Sequence, residues 1–168
     1  MRQLHQSQFV LTSVVAIKPG VLSVSFADGY QGSVDISESI DRLRALAPLR
    51  SWELFKKVSV DECSRGVVFG DSDDLHLAGD NLRAKSLRQA GHFSHEDIVV
   101  WMSRHGMTLD QAAKALGLSR RMLAYYRSGE KPVPRTVGLA LLGWETIARP
   151  KHRHARGRPA PVGRAADR

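Results

Sequence analysis

Two periodicities divide the chain. Between Val10 and Asp35, short β-rich runs alternate with turn signals. Residues 14–18 run into Pro19-Gly20, a turn pair. In Val21-Leu22-Ser23-Val24-Ser25-Phe26, the residues Leu22, Val24 and Phe26 share one face, as a half-buried strand requires. Asp28-Gly29 marks a hairpin, because glycine reaches the positive φ that a tight turn needs, and residues 30–36 read as the return strand. The period then lengthens. Ile40, Leu43 and Leu46 or Ala47 recur at helical spacing, which predicts a helix over 37–47 that Pro48 stops. After a short segment around Trp52, Leu54 and Phe55, residues 58–60 and 67–69 predict a second hairpin around Ser64-Arg65-Gly66. Residues 80–90 predict a connecting helix or linker.

Beyond residue 93 the pattern is helical. Ser94 caps a helix over 95–105 with Ile98, Val99 and Met102 on its apolar face and Trp101 beside them, and Gly106 ends it. Thr108 and Gln111 have the spacing of a capping box for the next short helix, 109–116, which Gly117 closes in the left-handed region. Ser119 caps a third helix over 120–128, Gly129 terminates it, and Pro132 and Pro134 lead into a fourth over 135–147. The expected class is therefore α+β: a small N-terminal antiparallel-sheet domain with one or two helices, then an all-α domain. The expected boundaries are a partner-binding or dimerisation domain over 1–80, a linker over 81–93, a helix-turn-helix domain over 94–148 and a flexible basic tail over 149–168.

Charge sharpens this division. Residues 1–90 hold 11 Lys+Arg and 11 Asp+Glu, whereas 91–168 hold 14 and 6, so the whole net charge of +8 lies in the second half. Residues 149–168 alone contribute +6. Such asymmetry points to a polyanionic partner for the C-terminal half, nucleic acid above all. No apolar run approaches the roughly 20 residues of a membrane span. Thr12 and Ser13 interrupt the apolar stretch 9–17, Lys18-Pro19 follows it and no small-residue cleavage site appears, so no signal peptide is expected. The single cysteine, Cys63, rules out an internal disulfide and a cysteine-based zinc finger. A cytoplasmic protein with no membrane partner is the expectation.

The N-terminal half offers little chemistry. Asp71-Ser-Asp73-Asp74 lacks the glycine and the distal glutamate of a calcium loop and reads as an acidic turn after a strand. Asp28 and Asp35 fit turn and capping roles better than a general acid/base pair. Cys63 has no histidine near it in sequence and reads as a surface turn thiol. His92 with His95, and His152 with His154, lack a convergent third ligand, so no metal and no cofactor is expected.

Two segments carry resemblances. Phe26-Ala-Asp28-Gly29-Tyr-Gln-Gly32-Ser-Val34-Asp35, followed by Leu46-Ala-Pro48-Leu49 and Asp73-Asp74-Leu75, resembles a bacterial domain-of-unknown-function family with the pattern F-x-D-G-x-x-G-x-V-D. That family often has Trp-Pro where this chain has Phe69-Gly70. The resemblance implies a small α+β domain without assigned catalysis, often encoded beside a small partner protein in candidate toxin–antitoxin pairs.

In the second segment, Leu109, Ala112, Ala113 and Leu116 fall at helical intervals, Gly117 makes the turn, and Leu118 and Leu123 bury the next helix. Ala113 is small where two short helices cross, which is the physics of a helix-turn-helix whose second helix enters a major groove. From Thr108 to Gly129 the sequence resembles the lambda-repressor-like (Xre) family of DNA-binding domains, with the resemblance extending over residues 94–147. Arg127 stands where that family commonly has an acidic residue.

Because Leu123 must face the hydrophobic body, the opposite face of its helix meets DNA. Arg120, Arg121 and Tyr125 are the expected base-contacting residues, with Ala124 near enough for apolar contact. Arginine can bond guanine O6 and N7 together, each such pair worth roughly 1–3 kcal/mol of discrimination. Thr108, Gln111, Ser119, Arg127, Lys131 and Arg135 suit phosphates, which position a protein without specifying sequence. In the tail, Arg156-Gly157-Arg158-Pro159 resembles the core of an AT-hook, which would place Arg156 and Arg158 in a minor groove. Attraction to phosphates alone is the plainer reading of those residues.

The sequence thus predicts a DNA-binding transcriptional regulator, expected to be a homodimer on double-stranded DNA and antitoxin-like in repressing its own operon. Dimerisation follows from site size, since one recognition helix touches few base pairs. The rival is a protein-interaction module, binding a small protein encoded nearby, whose helical domain does not bind DNA specifically. An enzyme is the weakest reading: the sequence shows no nucleophile–base pair, phosphate-binding loop or metal cluster.

Overall fold

The computed structural model describes residues 7–148. After a single 3-10 turn, Ser7–Phe9, the chain forms an antiparallel sheet of β1 (Leu11–Lys18), β2 (Val21–Phe26) and β3 (Gln31–Asp35) in that spatial order. The alternation in β2 does what it predicts. Leu22, Val24 and Phe26 are buried while Ser23 and Ser25 face the other way, with Val24 opposite Val14 and Leu22 opposite Val34.

The predicted helix over 37–47 is cut in two: α1 (Ser37–Arg42) ends early, Leu43 is extended at φ −100°, ψ 113°, and a 3-10 segment, Arg44–Arg50, contains Pro48. A proline at that point has no N–H for an α-helical bond to Arg44 and its ring crowds that carbonyl, so a continuous α-helix is disfavoured. The tighter 3-10 turn also sends Leu46 and Leu49, three residues apart, into the core together.

A four-residue helix, α2 (Trp52–Phe55), precedes a second antiparallel sheet of β4 (Val58–Val60), β5 (Gly66–Phe69) and β6 (Ser72–Ala78). Strand β6 corrects the expectation of an acidic turn over 71–74. The chain re-enters the sheet at Ser72, and Leu77 and His76 pair with Val67 and Val68. Asp is a poor strand former in isolation, and here pairing with the buried β5 overrides that preference.

Helix α3 (Gly79–Gln89) occupies much of the stretch expected as a linker. Leu82, Ala84 and Ser86 are buried, because α3 lies on β3. Ser86 Oγ donates to the Ser33 carbonyl at 2.8 Å, and the Gln89 side chain both accepts from Asp35 N–H and donates to Asp35 C=O at 2.8 Å. Gly32 permits this approach, since a Cβ there would sit 2.5 Å from Ser86 Oγ and 2.6 Å from the Tyr30 hydroxyl.

The helical part comprises α4 (His95–Arg104), α5 (Leu109–Leu116), α6 (Arg120–Arg127) and α7 (Arg135–Ala148). Its buried residues Ile98, Trp101, Met102, Ala112, Ala113, Leu123, Tyr126, Val137 and Leu141 form a cluster separate from the one under the two sheets. Among the described residues no helix is long and apolar enough to cross a membrane.

Candidate nucleic-acid interface

Local sequence fixes the α5–α6 pair at each end. The Thr108 N–H donates to Gln111 Oε1 at 2.9 Å and the Gln111 N–H donates to Thr108 Oγ1 at 3.3 Å, closing a reciprocal capping box. Gly117 adopts φ 66°, ψ 28°, and the following Leu118 N–H bonds the Ala113 carbonyl at 2.9 Å. That left-handed residue reverses the chain in one step, and Ser119 Oγ then accepts the Met122 N–H at 3.2 Å to start α6. Ala112 and Ala113 are buried in the cluster that α5 shares with α4, α6 and α7, where a larger side chain would hold the helices apart.

Leu123 and Tyr126 anchor the buried face of α6. At about 100° per residue, Arg121, Ala124 and Tyr125 take the opposite face, while Arg120, expected there, falls with Arg127 on the flank beside Leu123, one turn from it. The structure treats the two adjacent arginines differently. Arg121 Nε donates to the Tyr125 hydroxyl at 2.6 Å, and its guanidinium carbon lies 5.4 Å from the Tyr125 ring centre. That hydrogen bond, with the phenol's negative end, raises the Arg121 pKa above its usual value. Lys131 Nζ also lies 5.4 Å from the Tyr125 ring, so Arg121, Tyr125 and Lys131 form one cluster. Arg120 instead turns back to α5, with its Nε 3.3 Å from Asp110 Oδ1.

The remaining expected residues are distributed around this face. Thr108, Gln111 and Ser119 spend their acceptor oxygens on helix caps, which leaves the hydroxyl hydrogens and the Gln111 amide hydrogens as donors. Arg135 is exposed at the first turn of α7. Arg156, Arg158, His152 and His154 lie outside the described residues.

Several contacts that join the helical part to the sheets have no signal in the sequence. Phe9 packs edge-on to His95, their ring centres 4.9 Å apart, and lies so close to Gly129 that a Cβ there would overlap its ring. The turn that ends α6 is thereby seated on the 3-10 turn that begins the described chain. Arg83 holds that turn from below. Its Nη1 donates to the Gln8 carbonyl at 3.0 Å, and Nη1 and Nη2 donate to the two Asp28 carboxylate oxygens at 2.9 and 2.6 Å. Burial pushes the Asp28 carboxyl up. The Arg83 hydrogen bonds, the Tyr30 N–H and the Arg83 charge outweigh that and hold it below its usual value.

Elsewhere, Cys63, Asp61 and His76 line one cavity, brought together by β4 and β6 despite their sequence separation. His76 Nε2 lies 2.9 Å from Asp61 Oδ2, and among the described residues no hydrogen bond joins the thiol to the imidazole. The same residues contain no cluster of three His, Cys, Asp or Glu able to hold a metal ion.

These observations define an α+β protein in which two antiparallel sheets carry a helical unit with an exposed arginine–tyrosine–lysine cluster on one short helix. No protein-family model and no curated protein matches the chain. A solved crystal structure from Nitrosomonas europaea, described as a candidate DNA-binding protein, is 38% identical over 89% of this chain and 95% of that one, with a TM-score of 0.72. The chain belongs to the same protein family as that Nitrosomonas protein.

Proposed function

We propose that the protein is a sequence-specific DNA-binding transcriptional regulator in which α5 and α6 act as a helix-turn-helix of the lambda-repressor-like kind. The observation that carries this reading is the cluster on the outer face of α6. The Tyr125 hydroxyl occupies Arg121 Nε, which leaves the two terminal nitrogens of this exposed side chain as a fork for a ligand. Such a fork matches guanine O6 and N7 in a major groove. Membership of a family that includes a candidate DNA-binding protein supports the same conclusion.

Within this reading Arg121 reads a base with Tyr125 as its support, and Arg120 is steered toward the phosphate side by Asp110. Thr108, Gln111, Ser119, Arg127, Lys131 and Arg135 bind phosphates, and the residues beyond 148 add attraction through their net charge of +6. The protein acts without catalysis, as a cytoplasmic homodimer. The sheet unit contacts a small protein partner in an antitoxin-like arrangement.

Fluorescence anisotropy of the full-length chain, on the DNA upstream of its own gene and on a scrambled duplex, tests the proposal across a salt series. Preference for the upstream DNA that persists at physiological salt, and that Arg121→Ala removes, is the expected result. Equal binding to both duplexes, lost as salt rises, overturns sequence-specific regulation.

A further inference from the structure

The helical unit has a second face that the proposed DNA interface does not use. A groove of about 370 Å³ runs between α4 and α7. Val100 and Leu142 stand on its walls 49% and 52% exposed, and Phe93 lines it where the ring fills the notch left by Gly138. Leu139, one turn before Leu142 on α7, extends the apolar strip at 50% exposure. Beside it Gly143 is open, with no atom within 4 Å of where a Cβ would stand, so another backbone can approach closely there.

The charges around the groove identify what covers it. One end carries Arg88 between Glu96 and Asp97, at 3.4 and 3.6 Å, and the other carries Arg104 bonded to Glu145 at 2.8 Å. The two ends are seven residues apart along α4, about 10 Å. The rim therefore has both signs at each end and no basic excess. DNA has no use for such a surface, and a strongly charged partner would meet repulsion at both ends. A copy of the same surface, turned about a two-fold axis, brings arginine of one protomer to carboxylate of the other and apolar wall to apolar wall. In a chain of net charge +8, two copies approaching through a basic face would repel, and this strip, which has no basic excess, avoids that cost.

We infer that the α4–α7 groove is an isologous dimer interface, its occupant a second copy of this chain centred on Val100 and Leu142. The inference rests on the DNA-binding reading in one respect: two recognition helices are needed to read two half-sites. The groove shares no residue with the outer face of α6, so a dimer formed here leaves both α6 helices accessible.

Sedimentation equilibrium of the full-length chain without DNA, over the micromolar range, tests it. The wild type is expected at twice the chain mass. Leu142→Glu, which puts a carboxylate into the apolar wall of a groove already lined by Asp97 and Glu145 and acts on both sides of the two-fold, is expected to weaken dimerisation by about 100-fold or more. Val15→Glu, on an exposed strand residue of the sheet unit, is expected to leave the dimer unchanged. Should Leu142→Glu impair folding by circular dichroism, Leu142→Ser, which only trims an exposed side chain, gives the same comparison. A monomeric wild type overturns the inference, as does a Leu142 variant that dimerises as tightly as the wild type. A dimer that Leu142→Glu splits but that binds no DNA overturns the DNA reading alone; specific DNA binding by a strict monomer does the reverse.

Discussion

Arg83→Met tests whether the buried guanidinium is the tie between the sheets and the turn under α6. Methionine keeps the length of the stem and removes the charge, so the change isolates the polar contacts. Arg83 is 5% exposed and makes three hydrogen bonds, two of them to the Asp28 carboxylate, while its guanidinium lies 5.0 and 4.6 Å from the Phe26 and Tyr30 ring centres. Hydrogen bonds to charged groups contribute roughly 1.5–3 kcal/mol each, and a desolvated cation–π contact about 1 kcal/mol. Against this, the Asp28 side chain is 27% exposed and can rehydrate once released. The net loss is then about 2–3 kcal/mol, or roughly 5–10 °C in Tm for a chain of this size.

The pH dependence gives an independent check on the same variant. Asp28 is held below its usual 3.8, so the pair's contribution is complete above the unfolded value and disappears as pH falls through the lower folded value. The stability gap between wild type and Arg83→Met is therefore full at neutral pH and shrinks in acid. Urea unfolding followed by circular dichroism, at neutral pH and again below the usual carboxylate range, measures both quantities. A loss under about 1 kcal/mol, or a gap that widens in acid, would falsify the assignment of Arg83 as the tie.

Three further outcomes follow from the geometry. Gly117→Ala is expected to cost about 1 kcal/mol in urea unfolding, from its φ of 66° alone, because a Cβ there meets no neighbour; Gly129→Ala, at φ 73° and against Phe9 and Gln8, is expected to cost at least about 2 kcal/mol. Equal losses at the two glycines would contradict the close seating of the α6 turn on Phe9. Thr108→Ala is expected to lower stability by about 1 kcal/mol through loss of the capping box, and the amide of Gln111 should exchange faster with solvent. Glu145 is held below its usual 4.5, first by the His105 hydrogen bond and also by Arg104, so NMR titration should find it there and His105→Ala should move it upward; an unmoved midpoint would count against that contact.

Local rules in the chain were enough for the helical part. Thr108, Gln111, Gly117 and Ser119 act on their own helix ends, so the bounds of α5 and the start of α6 follow from neighbours within a few residues. The strand alternation of β2 and the Asp28-Gly29 turn are equally local, and the outer face of α6 follows once Leu123 points inward. Tertiary structure decided the rest, because those contacts join residues far apart in sequence. Strand β6 exists because β5 offers a paired edge, and a proline-containing segment becomes 3-10 because both Leu46 and Leu49 are buried. The split between Arg120 on Asp110 and Arg121 on Tyr125 depends on where α5 lies beside α6. Nothing in the sequence singles out Arg83, yet it is buried where Asp28, 55 residues earlier, meets it in space. Side-chain spacing encodes a helix face or a cap, since those interactions repeat with the backbone's own period; a long-range ion pair has no period, and only the assembled fold brings its members together.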